Sequence, residues 1–318
     1  MPRAVRYDRY GTVDVLYIAD VATPAPAADE VVVEVVVAGL NPGEIPVREG
    51  LMHDVWPASF PSGQGSDFAG RVVAVGSAAG SAAGSAVSTP PIGAEVIGFT
   101  DRRAAQADYV AVPANQVTPK PAAVDWDVAG SLFVAGTTAY AAVRAVGAEP
   151  GETVAVSAAA GGVGSLAVQL LRRRGVRVLA VAGEANHDWL ASLGAVPVAY
   201  GEGAERVEER LRAAAPEGVD AFIDAHGDGY VELAMRLGVA PVRINTIADF
   251  PAARKFGTKS DGSAAAASAD VLAELAALLA EGEITAAVSA TYPIERVREA
   301  YTALAGPHSR GKIVLRMR

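Results

Sequence analysis

The chain has 318 residues, of which 51% are hydrophobic and 20% charged, and its formal net charge is -9. That length buries a sizeable core and divides most naturally into two domains, and the balance is that of a soluble globular protein, not a disordered one. The negative balance argues against a phosphate-backbone partner, and the absence of cysteine excludes disulfides and thiolate metal sites.

The opening MPRAVRYDRYG is charged and strand-like, with no apolar signal core. EVVVEVVVAGL (30–40) is a β-branched run broken by Glu34, the pattern of a partly covered strand. GRVVAVG, AEVIGF and ADYVAVP follow, each bounded by glycine, proline or small polar residues. Residues 1–124 therefore predict a compact β domain of barrel or sandwich type. Within it SAAGSAAGSAVSTPP (77–91) is low in complexity and has little to bury. It predicts a mobile surface loop, with a lid as the functional alternative.

From about Trp126 helix and strand alternate. WDVAGSLFVAGTTAYAAVRAVG reads as a helix, TVAVSA as a strand, VGSLAVQLLRRRG as a helix and VRVLAVAG as a strand. HDWLASLG, ERVEERLRAAA and YVELAMRLG are further helices, interleaved with the strands VPVAY, VDAFIDA and VRINTI. Apolar strands separated by amphipathic helices imply a parallel sheet covered on both faces, a doubly wound α/β domain over residues 125–284. After the helix DVLAELAALLAEG, residues 285–318 return to strand, helix, strand and are expected to rejoin the first domain. The most apolar helical stretch, 264–280, is interrupted by Asp270 and Glu274 and is too short and polar to span a bilayer. A cytoplasmic protein without a membrane partner is expected.

The stretch SAAAGGVGSLAVQLLRRRG (157–175) follows a predicted strand and opens a helix whose Val163, Leu166, Ala167, Leu170 and Leu171 sit at helical spacing. Gly161 and Gly162 let the backbone turn tightly and approach a pyrophosphate, and Gly164 removes a side chain where helix and strand pack closely. The helix start then presents free N–H groups and positive partial charge. Ala159 occupies the first glycine position of G-x-G-x-x-G, so the strict motif is not met, and a glycine-rich connection without a ligand is the alternative. Between a strand and a helix, the stretch reads as a dinucleotide turn.

AAAGGVGSLAVQL resembles the A-x-x-G-G-V-G-x-x-A-x-Q-L signature of the zinc-independent medium-chain dehydrogenases/reductases, in the quinone oxidoreductase (zeta-crystallin-like) branch. GLNPGEIPVREG, PSGQGSDFAGRVVAVG, AGTTAYAAV, NHDWLASLGA and RGKIVLRM are each similar to a family segment, in order along nearly the whole chain. The resemblance implies a GroES-like β-rich catalytic domain over 1–124 and 285–318 beside the Rossmann domain of 125–284. It also implies a nicotinamide cofactor, a quinone or other electron-poor small molecule as acceptor, and a homodimer joined along the Rossmann sheets. By the same likeness Asn41 and Thr138 lie by the nicotinamide and the polarised oxygen of the substrate. Ala160, Gly161, Gly162, Val163, Gly164, Gly183, Tyr200, His226 and Lys312 are expected at the cofactor. Enoyl-thioester reductases share the glycine signature, and a cofactor-binding protein with little turnover, structural or nucleic-acid-binding, is the rival from another class.

Zinc-dependent members hold their catalytic metal through Cys and His. Here Asn41 stands where the first catalytic Cys would be, and Ser66 and Asp67 where a His-Glu pair would be. His53, His187, His226 and His308 are scattered without ligand spacing, so no metal is expected. The second Rossmann strand ends at Ala182 and Gly183 without the acidic residue that would bond an NAD ribose. NADPH is therefore expected over NADH, although Glu184, one residue on, would repel a phosphate. Arg172, Arg173, Arg174, Arg254, Lys255 and Lys259 are either compensating charges or a solvated face.

Several residues carry two readings. Asn41 with Pro42 is a turn after a strand, or an amide that donates to developing negative charge without titrating. Tyr200 either packs the core or lies against adenosine, and Tyr140 is a proton donor or a packed helix residue. Met52, Trp56 and Phe60 are core, or apolar walls for a flat conjugated acceptor.

Overall fold

The computed structural model describes residues 1–79, 90–201, 204–306 and 310–317. In chain order the first part holds β1 (Arg3–Arg6), β2 (Tyr17–Asp20), β3 (Glu30–Gly39), α1 (Glu44–Arg48), β4 (Asp67–Val75), β5 (Glu95–Phe99), β6 (Tyr109–Pro113) and β7 (Val117–Pro119). Next come α2 (Trp126–Ala129) and α3 (Leu132–Val146). The alternating part holds β8 (Thr153–Val156), α4 (Gly162–Arg173), β9 (Arg177–Ala182), α5 (His187–Ser192), β10 (Val196–Ala199), α6 (Ala204–Ala214), β11 (Ala221–Asp224), α7 (Tyr230–Arg236), β12 (Ile244–Thr246) and α8 (Phe250–Phe256). The chain closes with α9 (Ala269–Ala280), β13 (Val288–Pro293), α10 (Val297–Ala305) and β14 (Lys312–Arg316).

Two compact units result. The first comprises Met1–Val134, Ala267–Glu283 and Ala287–Arg318, the second Ala135–Ala266 and Ile284–Ala286. Helix α9 packs against β5 and β7 and so counts with the first.

In the first unit the strands run in the order β13-β14-β3-β4-β5-β7. β3 pairs β4 on one edge; on the other it pairs β6 through Glu30–Glu34 and β14 through Val37–Gly39. The β-branched run thus binds the C-terminal tail to the N-terminal sheet. β3 is buried at every residue except Glu34 and Val36, so it is covered on both faces, more completely than the single charge suggested. Val31, Val33, Val35, Phe68, Val96, Val110 and Leu315 meet in the core of this unit.

The run expected as one helix from Trp126 is two, α2 and α3, broken at Gly130 and Ser131. A Cβ on Gly130 would lie 2.7 Å from both the Cβ and the carbonyl oxygen of Val37, so the backbone there lies directly on β3. Close packing overrides the continuous helical pattern.

The second unit is a parallel sheet in the order β10-β9-β8-β11-β12. β8 and β11 are buried at nearly every residue, as strands covered by helices on both faces are. Short α8 was not anticipated; Asp249 caps it by accepting from the Ala252 N–H at 2.9 Å, and Gly257 ends it in the left-handed conformation. Most of the 77–91 loop, and His308, lie outside the described residues. Among the described residues no helix is long and apolar enough to cross a membrane.

Candidate active site

At the end of β3 the chain turns at Asn41, where the Glu44 N–H donates to the Asn41 carbonyl at 3.0 Å. The residue makes the turn that Asn-Pro suggests, yet its side chain is buried, at 5% exposure. That side chain is held from both ends. The Lys312 ammonium donates to Asn41 Oδ1 and, at 2.6 Å, to the Leu40 carbonyl. Asn41 Nδ2 donates to Glu44 Oε1 at 3.3 Å, and the Asn41 backbone N–H donates to Glu44 Oε2 at 3.1 Å. An ammonium can only donate and a carboxylate only accept, so these partners fix which way the amide faces.

Two further shells of polar groups support this pair. Tyr301 of α10 donates its hydroxyl proton to Glu44 Oε2. The Tyr301 oxygen in turn accepts from Gln64 Nε2 at 3.1 Å and Gln106 Nε2 at 2.8 Å. Asp67, at the start of β4, accepts from the Val134 N–H at 3.2 Å through Oδ1, and its Oδ2 lies 3.6 Å from Lys312 Nζ. The Arg48 guanidinium sits over the Tyr301 ring, 5.1 Å from its centroid.

Burial governs the titration of this cluster. It pushes Glu44 up from the ordinary carboxylate range to about 7, with Asp67 adding to the effect. Hydrogen bonds from Tyr301 and the Asn41 N–H, and the Lys312 charge, pull the other way. Glu44 keeps part of its surface in solvent, but its carboxyl group is turned inward onto Asn41 and Tyr301. Burial also raises Asp67, against the Lys312 ammonium. Burial and the neighbouring Glu44 hold the Tyr301 hydroxyl well above its usual value, so it stays a donor near neutral pH.

In the second unit β8 runs into the glycine turn, and Gly161 caps α4 with extended backbone and no side-chain hydrogen bond. The turn closes on itself: the Gly161 N–H donates to the Ala158 carbonyl at 2.9 Å, and the Ser165 N–H to the Gly161 carbonyl at 3.0 Å. A Cβ on Gly164 would lie 2.3 Å from that same Ala158 oxygen, so the helix rests directly on the turn. The first-turn N–H groups of α4 have no intrahelical acceptors, and no side chain at Gly161 or Gly162 stands before them. The turn therefore has the space, the donors and the positive helix end that a pyrophosphate requires. Beside it Tyr200 lies along Gly183, with its hydroxyl 3.2 Å from where a Gly183 Cβ would be.

Buried Asp224, at the end of β11, ties the strand ends together. Its Oδ1 accepts from Ser157 Oγ at 2.7 Å, the His226 N–H at 2.9 Å and the Gly227 N–H at 3.0 Å. Its Oδ2 accepts from Thr246 Oγ1 at 2.7 Å. The carboxylate thus fastens the carboxyl ends of β8, β11 and β12, the edge where doubly wound sheets bind ligands.

Of the other sequence candidates, Thr138 is buried in α3 and Tyr140 half-buried. Met52 is half-buried, while Trp56 and Phe60 are 52% and 44% exposed. Phe60 rests edge-on against Tyr7 and Tyr10. His226 is exposed, its ring edge-on to Tyr230. Arg172, Arg173 and Arg174 end α4, roughly 15 Å along the axis from the turn at the usual rise per residue, and form a solvated face. Lys259 bonds the Ala145 carbonyl. Lys312 turns its ammonium to Leu40, Asn41 and Asp67, inside the first unit. Glu44, Gln64 and Asp67 lie within segments that resemble the family but carry no assigned role from sequence; Tyr301, Gln106 and Asp224 carry no local signal. Among the described residues no three His, Cys, Asp or Glu side chains are grouped to hold a metal ion.

Two family models match the chain, an alcohol dehydrogenase GroES-like domain over residues 27–122 and a zinc-binding dehydrogenase over 193–315. The chain is 31% identical over 201 residues to a chloroplastic quinone-oxidoreductase homolog of Spinacia oleracea, covering 60% of this chain and 59% of that protein. By these likenesses the chain is similar to quinone oxidoreductases of the medium-chain dehydrogenase/reductase superfamily. Another relative, the chloroplastic NADPH-dependent alkenal/one oxidoreductase of Arabidopsis thaliana, is 28% identical over 97% of this chain and 78% of its own length. A solved quinone oxidoreductase from Coxiella burnetii is 27% identical and superposes with a TM-score of 0.84 over 100% of this chain and 99% of its own. The two units are accordingly a GroES-like and a Rossmann fold, and the likeness to quinone and alkenal oxidoreductases marks an oxidoreductase.

Proposed function

We propose that the protein is an NADPH-dependent reductase of quinones or α,β-unsaturated carbonyl compounds, and that it works without zinc. The observation that carries this reading is the buried Asn41 amide, held between Lys312 and Glu44 at the position of a zinc-binding cysteine in metal-dependent relatives. An amide donates a hydrogen bond to negative charge developing on a carbonyl oxygen, and being neutral it does so at any pH where it is correctly held. The residues there do not suit zinc: beside Asp67 stands an ammonium, and neither Asn41 nor Lys312 offers a thiolate or imidazole.

A bound nicotinamide dinucleotide supplies the hydride. Ala160, Gly161, Gly162, Val163 and Gly164 would hold its pyrophosphate, and Gly183, Tyr200 and His226 its adenosine half. Thr138 would support the acceptor oxygen, and Met52, Trp56 and Phe60 would form apolar walls that exclude water. NADPH is favoured because β9 ends at Ala182 without a carboxylate, and the Arabidopsis relative is named for it.

The test follows NADPH and NADH oxidation against a benzoquinone, a naphthoquinone, an enone and an enoyl thioester. Turnover of quinones or enones with NADPH preferred supports the reading. Activity on the thioester alone would move the protein to the enoyl reductases, and an equal or better rate with NADH would remove the cofactor assignment. Asn41→Ala should lower kcat by about 100-fold, the usual loss for one such donor, while NADPH affinity holds. Unchanged kcat would take Asn41 out of the mechanism.

A further inference from the structure

We propose that Glu44 is a positioning residue whose ionised carboxylate holds the Asn41 amide in its donating orientation, and that a proton on Glu44 releases it. The inference rests on the reading of Asn41 as the donor to substrate.

The argument is a count of donors. Glu44 receives three: the Asn41 N–H and the Tyr301 hydroxyl on Oε2, and Asn41 Nδ2 on Oε1. A carboxylate accepts all of them at full strength, whereas a proton turns one of the two oxygens into a hydroxyl, a donor with much weaker acceptor capacity. Tyr301 cannot reverse its role, because amide groups of Gln64 and Gln106 already donate to its oxygen. An added proton therefore goes to Oε1, which has one partner and the longest contact, 3.3 Å. There it meets the Nδ2 hydrogen, donor against donor. The amide cannot escape by turning over, since that would aim Nδ2 at the Lys312 ammonium, which accepts nothing. Protonation of Glu44 thus leaves Asn41 without a defined orientation.

The charged groups around Glu44 set how readily this happens. Asp67 from β4 favours the proton and Lys312 from β14 opposes it. Tyr301 from α10 opposes it through its hydrogen bond, and Arg48, on the same helix as Glu44, sits over that ring. The balance puts the change at about pH 7, where it would bear on activity.

The first experiment needs neither cofactor nor turnover. In full-length protein labelled with nitrogen-15, the Asn41 side-chain amide signal is followed from about pH 5 to about pH 9, a range spanning the perturbed carboxyl. Its shift should titrate with a midpoint near 7. Tyr301→Phe, which removes a hydrogen bond to the ionised form, should raise the midpoint, and Glu44→Gln should abolish the titration. In turnover with NADPH and a quinone, wild-type kcat should fall about tenfold on the acid side of the same midpoint, with KM for NADPH unchanged, a smaller loss than in Asn41→Ala because a disoriented amide still donates part of the time. Glu44→Gln should show that lowered kcat at every pH. An Asn41 amide signal that does not titrate, or one that titrates equally in Glu44→Gln, overturns the proposal. If the amide titrates while kcat ignores pH, the hold of Glu44 on Asn41 stands and the role of Asn41 toward substrate falls.

Discussion

Gly164→Ala tests the dinucleotide turn at its tightest point. A Cβ there would lie 2.3 Å from the Ala158 carbonyl oxygen, 2.9 Å from its carbon and 2.8 Å from Ala159 Cα. Ordinary contact begins about 1 Å farther out, and every obstructing atom is backbone, so no side chain can rotate aside. Overpacking of this kind costs about 3 kcal/mol, at the upper end of its usual range. The gain in helix propensity from glycine to alanine returns about 1 kcal/mol. A net loss of about 2 kcal/mol, roughly a 30-fold change in the folding equilibrium, is expected. The start of α4 must also shift away from the turn, which should weaken NADPH binding about tenfold or more. Gly43→Ala is the control, since a Cβ there meets nothing within 4 Å and its backbone is already helical. Urea denaturation reads the stability, and quenching of tryptophan fluorescence reads the binding. Gly164→Ala within about 0.5 kcal/mol of wild type, the range of indifferent surface changes, with NADPH affinity intact, would refute the packing argument.

Asp224→Asn should destabilise the second unit by about 3 kcal/mol, because four donors converge on the carboxylate and the new amide sets a donor against one of them; an unchanged melting temperature would contradict it. Lys312→Met strands Asn41 Oδ1 and leaves Asp67 buried without its cation, a loss of about 3 kcal/mol in chemical denaturation; a neutral result would mean that Asp67 takes up a proton without penalty. Glu44 binds its proton more tightly in the folded protein, with the pKa moving from 4.5 to about 7. Its contribution to stability is therefore complete below about pH 4.5 and is lost as pH rises through about 7, a swing of about 3 kcal/mol. The stability of wild type relative to Glu44→Gln should fall across that window, and a flat difference would show that the carboxyl is not so shifted.

The alternating half of the chain was legible because its signals are local. Continuous apolar runs and helical spacing give β8, α4 and β9 without reference to distant residues, and the glycines between β8 and α4 are punctuation any chain must obey there. The N-terminal half gave β1, β3, β4, β5 and β6, but not β2 or β7 and not the strands' partners. Nothing near Glu30–Gly39 announces that its two halves pair with β6 and with a strand near the C-terminus. The break at Gly130 was hidden for the same reason, since it depends on Val37 lying beneath it.

The catalytic candidate divides along that line. Asn41 was visible as a residue type at a motif position, and the hydrophobic periods and the glycine turn were determined by the sequence alone. Its environment was not. Glu44, Gln64, Asp67, Gln106, Tyr301 and Lys312 come together only when β14 pairs with β3 and α10 packs beneath them. A carboxyl group acquires a pKa of about 7 from desolvation and neighbouring charge. Both are properties of three-dimensional surroundings, and the order of residues along the chain does not contain them until the chain has folded.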